Sequence, residues 1–369
     1  MKQYFKYQGG KLPLPVFFPD ATRAVVRTVD SQDIKATGTP GVLVNTYHLY
    51  LDLGRKILER FGGIREFMGW KGAVISDSGG FQVMSLAKRA GKRGGVTDKG
   101  VKFKLSGKKT LELTPETSIE FQMALKPDMA VVLDDFTLPN STRSQAEESV
   151  ERTILWAERS KKKFEEICDQ QGLTEGKRPY LLAVVQGGEN LKLRRLCAER
   201  LAEIGFDGYG YGGWPILDNG EFNYDVARTI ARFTPKESFL YGLGIGKPEE
   251  VVNLVDMGFQ IFDCVLPTRD ARHKRLYVFD SASINQIDVR ADNFYEFFSP
   301  QKQIHYVDDS PISLACDCLL CKNYSRAYLN HLFRIEELTA LRLATIHNLR
   351  FYSILMEKLR PTGSDPVGV

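Results

Sequence analysis

Two acidic residues stand out for what surrounds them. Asp77 sits in Ser76-Asp77-Ser78-Gly79-Gly80-Phe81-Gln82, and Asp263 closes the apolar run Gln260-Ile261-Phe262 just before Cys264-Val265-Leu266-Pro267-Thr268-Arg269. Taken singly, each reads as a strand end followed by a turn. As a pair they suit sugar chemistry, in which two carboxylates beside an anomeric carbon serve as nucleophile and as acid/base. Asp134-Asp135, Gln186-Gly187-Gly188 and Gly212-Gly213 add acceptors, an amide and glycine pairs. Glycine lets backbone approach a ligand closely, and Asp and Gln beside exposed backbone suit the edge of a flat heterocycle such as guanine. Phe81 offers a stacking face. Arg269 and Arg272, directly after Asp263, place cations where an anion would approach.

A second group has different chemistry. Cys316-Asp317-Cys318-Leu319-Leu320-Cys321 brings three thiols together at C-x-C-x-x-C spacing, and His347 and His331 both follow within reach. Three thiolates and one imidazole make a closed tetrahedral set that suits zinc. With four protein ligands there is no position for a reacting water, so such a zinc would be structural.

These residues need elements that bring them together. Leu14 to Pro19, Gly41 to Val44, Ala73 to Ser76, Met129 to Leu133, Tyr180 to Val185, Phe206 to Tyr211, Phe239 to Leu243 and the run before Asp263 read as strands. Helical patterns alternate with them at Leu51 to Phe61, Pro115 to about Leu125, Ser144 to Gln170, Asn190 to Ile204, Pro248 to Met257 and Glu336 to Leu349. The Thr114-Pro115-Glu116 start has a capping hydroxyl and a first-turn proline. Alternation of this kind implies parallel βαβ units. Asp77, Asp134, Gln186, Gly213 and Asp263 all fall at C-terminal strand ends, which share one face only in a (β/α)8 barrel of the TIM type. A doubly wound sheet would gather only those near its switch point.

Composition bounds the rest. At 369 residues with 43% hydrophobic and 26% charged side chains, the chain can bury a large core. The net charge of +4 does not by itself mark a nucleic-acid binder. Lys88, Arg89, Lys92 and Arg93, then Lys102, Lys104, Lys108 and Lys109, then Arg269, Arg272, Lys274 and Arg275 are clustered enough to form a phosphate footprint. No apolar run approaches the ~20 residues of a membrane span, and no signal-peptide pattern opens the sequence. Six unevenly spaced cysteines are not a disulfide framework, which points to a reducing cytosol and a cytoplasmic protein. Thr362 to Val369 is expected to be a disordered tail.

The long motifs at 76–85, 184–188 (Val-Val-Gln-Gly-Gly) and 262–269, the Asn45-Thr46-Tyr47-His48-Leu49 segment and the cysteine cluster with His347 resemble the tRNA-guanine transglycosylases, over about Pro15 to Arg360. The resemblance implies one transglycosylase barrel domain over 1–369, with a C-terminal zinc-binding subdomain at about 300–350 inserted late in the barrel. It implies exchange of guanine at the anticodon wobble position of tRNA for a 7-deazaguanine base, foremost 7-aminomethyl-7-deazaguanine, in queuosine biosynthesis. In that scheme Asp263 is the nucleophile of a covalent RNA intermediate and Asp77 the general acid/base. Ser78, Gly79, Gly80, Phe81, Asp134, Gln186, Gly213, Trp214 and Leu243 surround the base. Gly244, Ile245, Gly246, Lys247, Pro248, Glu249 and Glu250, with Thr268, Arg269, Asp270, Ala271 and Arg272, hold the anticodon loop. Cys316, Cys318, Cys321 and His347 bind Zn2+, and the enzyme works as a homodimer. Two departures bear on the incoming base. Gly212-Gly213-Trp214-Pro215-Ile216 stands where the bacterial pattern reads Gly-Gly-Leu-Ala-Val, and Phe136 replaces a cysteine. Both are expected to reshape the pocket. Other readings are a non-catalytic RNA-binding subunit of a heterodimeric transglycosylase, which has no need of both Asp77 and Asp263, and a DNA-modifying relative.

Overall fold

The computed structural model of the chain describes residues 2–80, 84, 95–104 and 110–361. Phe81, Gln82, most of the basic residues between 88 and 109 and the tail 362–369 lie outside them.

Eight parallel strands form one sheet: β1 (Val16–Pro19), β2 (Gly41–Asn45), β3 (Ala73–Asp77), β4 (Met129–Val131), β5 (Tyr180–Val185), β6 (Gly208–Tyr211), β7 (Phe239–Gly242) and β8 (Ile261–Cys264). Each strand pairs with its neighbour in chain order from β2 to β8. β8 pairs back onto β1, with Phe18 opposite Asp263. A parallel bridge from Asp20 to Leu43 joins β1 to β2, so the sheet closes into a barrel.

Strand parity decides which side chains enter it. Val16, Phe18, Leu43, Ala73, Ile75, Met129, Val131, Leu182, Val184, Phe239, Tyr241 and Ile261 fill the interior. The alternate residues, among them Phe17, Val42, Val44, Val74, Ala130, Ala183, Leu240 and Phe262, pack outward under the helices. That is the period of two of a strand buried on both faces. An N-terminal hairpin, Tyr4–Tyr7 with Gly10–Pro13, closes the opposite end, with Phe5 against Phe18, Tyr180 and Phe239.

The helices that position the site are α1 (Thr46–Asp52), α2 (Pro115–Leu125), α3 (Arg143–Gln170), α4 (Leu191–Ile204), α5 (Pro248–Asp256), α6 (Leu266–Arg272) and α7 (Leu338–Leu359). Their starts follow side-chain capping: Asn45 accepts from the His48 amide at 3.1 Å, Thr114 from Thr117 at 3.2 Å and Asn190 from Leu193 at 3.2 Å.

Several expected boundaries move. The Leu51 to Phe61 helix is two helices broken at Leu53, because Gly54 takes a left-handed φ of 69°. The basic stretch after Asp263 is helical from Leu266, with Pro267 in its first turn, where its missing N–H costs nothing. The last helix starts at Leu338 and runs ten residues beyond Leu349, its apolar residues continuing on the barrel side. A three-stranded antiparallel sheet (Val96–Thr97, Gly100–Lys104, Thr110–Leu113) occupies part of the expected basic loop. Between α6 and α7 the chain carries a hairpin, Leu276–Phe279 with Tyr295–Phe298, and the cysteine segment. The insertion therefore separates the last strand from the last barrel helix.

Candidate active site and metal centre

Continuing each strand's inward parity past its apolar residues gives Asp20, Asn45, Asp77, Gln186, Gly212, Leu243 and Asp263 at the open end. Most of these strand ends are polar or small; Leu243 is the apolar exception.

Asp77 ends β3 beside Asn45, its register partner on β2. The Asn45 carbonyl oxygen is occupied capping α1, so its amide nitrogen must face Asp77, donating at 2.7 and 3.0 Å. The Gly79 amide adds a bond of 2.7 Å, and the Thr46 hydroxyl donates to the Asp77 carbonyl. Gly79 is required here: its φ is +76° and a Cβ would lie 2.7 Å from the Tyr47 nitrogen. Burial outweighs these donors and pushes the Asp77 carboxyl up to about 7, with the charge of Asp263 adding to it.

Asp263 accepts from the Gly244 amide at 3.0 Å. One inward step below, the fully buried Tyr241 hydroxyl is turned towards this carboxylate and helps to hold its charge. Burial raises Asp263 to about 6. Asp77 is raised further than Asp263, so of the two it holds its proton more readily. The two carboxylates thus differ in the direction that a nucleophile and a proton carrier require.

Across the mouth, the Gln186 oxygen accepts the Thr137 amide at 3.1 Å, so its nitrogen donates to Asp134 at 2.6 Å. Burial raises Asp134 to about 7, and Asp135 next to it contributes. Gly212 and Gly210 are bare for a reason: a Cβ would lie 2.6 Å from Gln186 Nε2 at the first and 2.6 Å from Leu243 at the second. Gly213, at φ +77°, packs between Gln186 and Arg194. Arg194 was not singled out from sequence. It is buried, donates to the carbonyls of Gly188 (2.7 Å) and Val185, and forms no ion pair among the described residues. It fixes both glycine turns from below.

The remaining expected residues divide by exposure. Ser78 and Gly80 are buried under the Asp77 turn, joined by a 3.2 Å bond. Trp214 is 54% exposed on a small hairpin closed by Leu217 and Glu221. Phe136 is half-buried and packs against a cluster that includes Tyr47, Leu133 and Trp156. Gly244, Lys247, Glu249 and Arg269 face solvent and Arg272 is half-buried. Ile245, Gly246, Pro248, Glu250, Thr268, Asp270 and Ala271 are buried supports: Asp270, for example, accepts from the Tyr277 hydroxyl and pairs with Arg275 at 2.9 Å.

With this arrangement in view, comparison with known proteins is decisive. The family model described as queuine tRNA-ribosyltransferase matches residues 4–362. The chain belongs to the queuine tRNA-ribosyltransferase family. It is 39% identical to the queuine tRNA-ribosyltransferase of Caldanaerobacter subterraneus subsp. tengcongensis over 353 residues, covering 95% of this chain and 86% of that protein. The protein of the same name from Idiomarina loihiensis is 37% identical over 356 residues, 96% of this chain and 87% of its own length. The one from Dehalococcoides mccartyi is 38% identical over 352 residues, 95% and 82%.

In this family member the four metal-type ligands come together. The ligand atoms of Cys316, Cys318, Cys321 and His347 lie within 4.8 Å of one another. His347 Nδ1 is 3.2 Å from the Cys321 sulfur and 3.6 Å from that of Cys318. Its Nε2 lies 2.8 Å from the Tyr277 carbonyl, which can only accept, so the proton sits on Nε2 and the Nδ1 lone pair faces the thiols. That is the tautomer a metal ligand needs. His331 is exposed on another helix, which settles the choice sequence left open. Neighbouring sulfurs draw the Cys318 thiol well below the ordinary range. Among the described residues, no helix is long and apolar enough to cross a membrane.

Proposed function

We propose that this transglycosylase exchanges guanine at the wobble position of tRNA for a 7-deazaguanine base, foremost 7-aminomethyl-7-deazaguanine, through an ester of Asp263 with the ribose. The Asp263 carboxylate attacks C1′ and the C1′–N9 bond breaks. The electron pair leaves with guanine, whose N9 takes the Asp77 proton. The incoming base returns its N9 proton to Asp77 and attacks C1′, displacing Asp263. Two inversions give net retention. What carries this reading is the pair of buried carboxylates, Asp263 and Asp77, at strand ends on one barrel rim, both raised by burial. Asp134, Gln186, Gly213 and Leu243 would read the flipped-out base, as recognition of an extruded nucleotide demands. Trp214 and Phe136 are the two departures that bear on the base's substituent.

Arg269, Arg272 and Lys247 supply cations for the anticodon loop. Cys316, Cys318, Cys321 and His347 would hold one structural Zn2+, since a set of three thiolates and an imidazole suits that metal and leaves no open position. It would fasten α7, whose Asn348 amide donates to the Pro267 (3.0 Å) and Arg275 (3.1 Å) carbonyls and whose Tyr352 hydroxyl bonds Gly246, beneath both RNA-facing segments. The exposed apolar residues Tyr306, Val307, Leu314, Tyr324 and Tyr328, all between α6 and α7, would suit a homodimer contact.

The test is release of labelled guanine from tRNA on adding 7-aminomethyl-7-deazaguanine, with a denaturation-resistant protein–RNA adduct on the path. Asp263→Asn should abolish both. Exchange that persists in that variant would end the covalent scheme.

A further inference from the structure

Asp20 has no part in the scheme above, yet it stands inside it. Around the rim the order is Asp263 on β8, Asp20 after β1, Asn45 on β2 and Asp77 on β3. Phe18 is paired with Asp263, so Asp20 is the next inward position of β1, one side-chain layer nearer the open end than the nucleophile. It is close enough to both catalytic carboxylates for its charge to raise them. One oxygen, Oδ1, is taken by Thr22, through the backbone amide at 3.1 Å and the hydroxyl. Oδ2 takes no hydrogen bond among the described residues. Arg27, His48 and Arg272 face it electrostatically, and Arg272 Nη1 is buried without a hydrogen-bond partner among the described residues.

We propose that Asp20 Oδ2 receives the 2′-hydroxyl of the target nucleotide and thereby selects ribose over deoxyribose. A fourth carboxylate on a rim that takes a polyanion is unfavourable unless it accepts a hydrogen bond. The sugar–phosphate backbone of an internal RNA nucleotide offers one donor, the 2′-hydroxyl; DNA offers none. The location agrees. Attack of Asp263 on C1′ sets the ribose in the layer directly above the nucleophile, where Asp20 points, and C2′ is bonded to C1′. The unpaired Arg272 Nη1 completes the arrangement as a donor to an adjacent phosphate oxygen. This assignment rests on Asp263 being the nucleophile towards a ribose.

The test is guanine exchange in two anticodon stem-loops that differ only at the target nucleotide, guanosine or 2′-fluoro-2′-deoxyguanosine. Fluorine approximates the size of the hydroxyl, withdraws electrons more strongly and removes the donor. Wild type, Asp20→Asn and Asp20→Val are compared, with thermal melts to establish folding; Asp20→Asn keeps the acceptor for Thr22. The intrinsic chemistry of the fluorine cancels in the double-mutant comparison. The ribo rate should fall roughly ten- to hundredfold more than the fluoro rate in both variants, the loss of one hydrogen bond to a charged acceptor. If both rates fall in parallel, or neither changes, the assignment is overturned. If wild type exchanges neither substrate, the proposed function fails instead, and that outcome is distinct.

Discussion

The barrel mouth and the Cys3His cluster both bury four or more titratable groups side by side, and they resolve the cost in opposite ways. In the cluster the groups relieve one another. The neighbouring thiols and the His347 ring shift one another, Cys318 falling well below its usual range and Cys316 and His347 rising well above theirs. A cation would complete it. In the mouth Asp77, Asp134 and Asp263 are all raised by burial, and among the described residues none of them forms an ion pair. The cluster is arranged for stability and the mouth holds strain for chemistry. The difference can be broken at either end.

Removing the metal attacks the stabilised end and should have the largest effect. Structural zinc of this type contributes on the order of 10 kcal/mol to folding. Cys318→Ser, or prolonged chelation, should lower the melting temperature sharply and weaken tRNA binding far more than binding of the free base. The reason is that α7 holds Gly246, Pro267 and Arg275 beneath the RNA-facing segments, whereas Asp134 and Gln186 sit on β4 and β5. Equal loss of base and tRNA affinity would contradict that division.

Relieving the strained end should do the reverse. Asp77 has a folded pKa of about 7 against an ordinary 3.8. A raised carboxyl favours the fold while it is protonated in both states, and that support is lost as pH rises from about 4 through about 7. Asp77→Asn removes the titration. The variant should therefore be inactive in exchange yet more stable than wild type at pH 8, by up to about 4 kcal/mol, with the gap narrowing towards pH 5. Paired melts at the two pH values decide it. A gap that widens on acidification would mean the carboxylate is stabilised in the fold after all.

The two regions also differ in how far the residues announce them. The cysteines lie within six positions, so spacing alone points to a metal; only the choice of His347 over His331 needed the Tyr277 carbonyl, seventy residues away in the chain. The mouth is spread over nearly 250 residues, and what is legible there is parity. A polar residue two steps past the last buried apolar residue marks Asp77, Gln186 and Asp263. Asp20 obeys the same rule after Val16 and Phe18, and Asn45 after Leu43; the proline before one and the helix after the other hid the pattern. Arg194 and Thr137 could not have been found this way, because they act through backbone carbonyls and amides that only the closed barrel brings near. The broken helix at Leu53 and the early start of α6 show the same limit, since local glycine and proline geometry moved boundaries without moving the site.

The smallest effect is the most specific test of how the mouth is built. Gly212 needs no left-handed backbone, so alanine there brings no strain of its own; what it brings is a methyl 2.6 Å from Gln186 Nε2 and 2.7 Å from the Val185 oxygen. Gln186 cannot step aside, being held by the Thr137 amide and Asp134. Gly212→Ala should therefore break the Gln186–Asp134 bond and raise the KM for the incoming base roughly tenfold, the value of about one hydrogen bond, while kcat changes less. Gly176→Ala, with nothing within 4 Å of its Cβ, is the neutral control. The decisive comparison adds Gln186→Ala. If the methyl acts only by displacing that amide, Gly212→Ala should cost little more once the amide is gone, because residues acting through one contact are not additive. Full additivity would mean that Gly212 reaches the base by another route, and that the bare strand end is needed by the ligand itself.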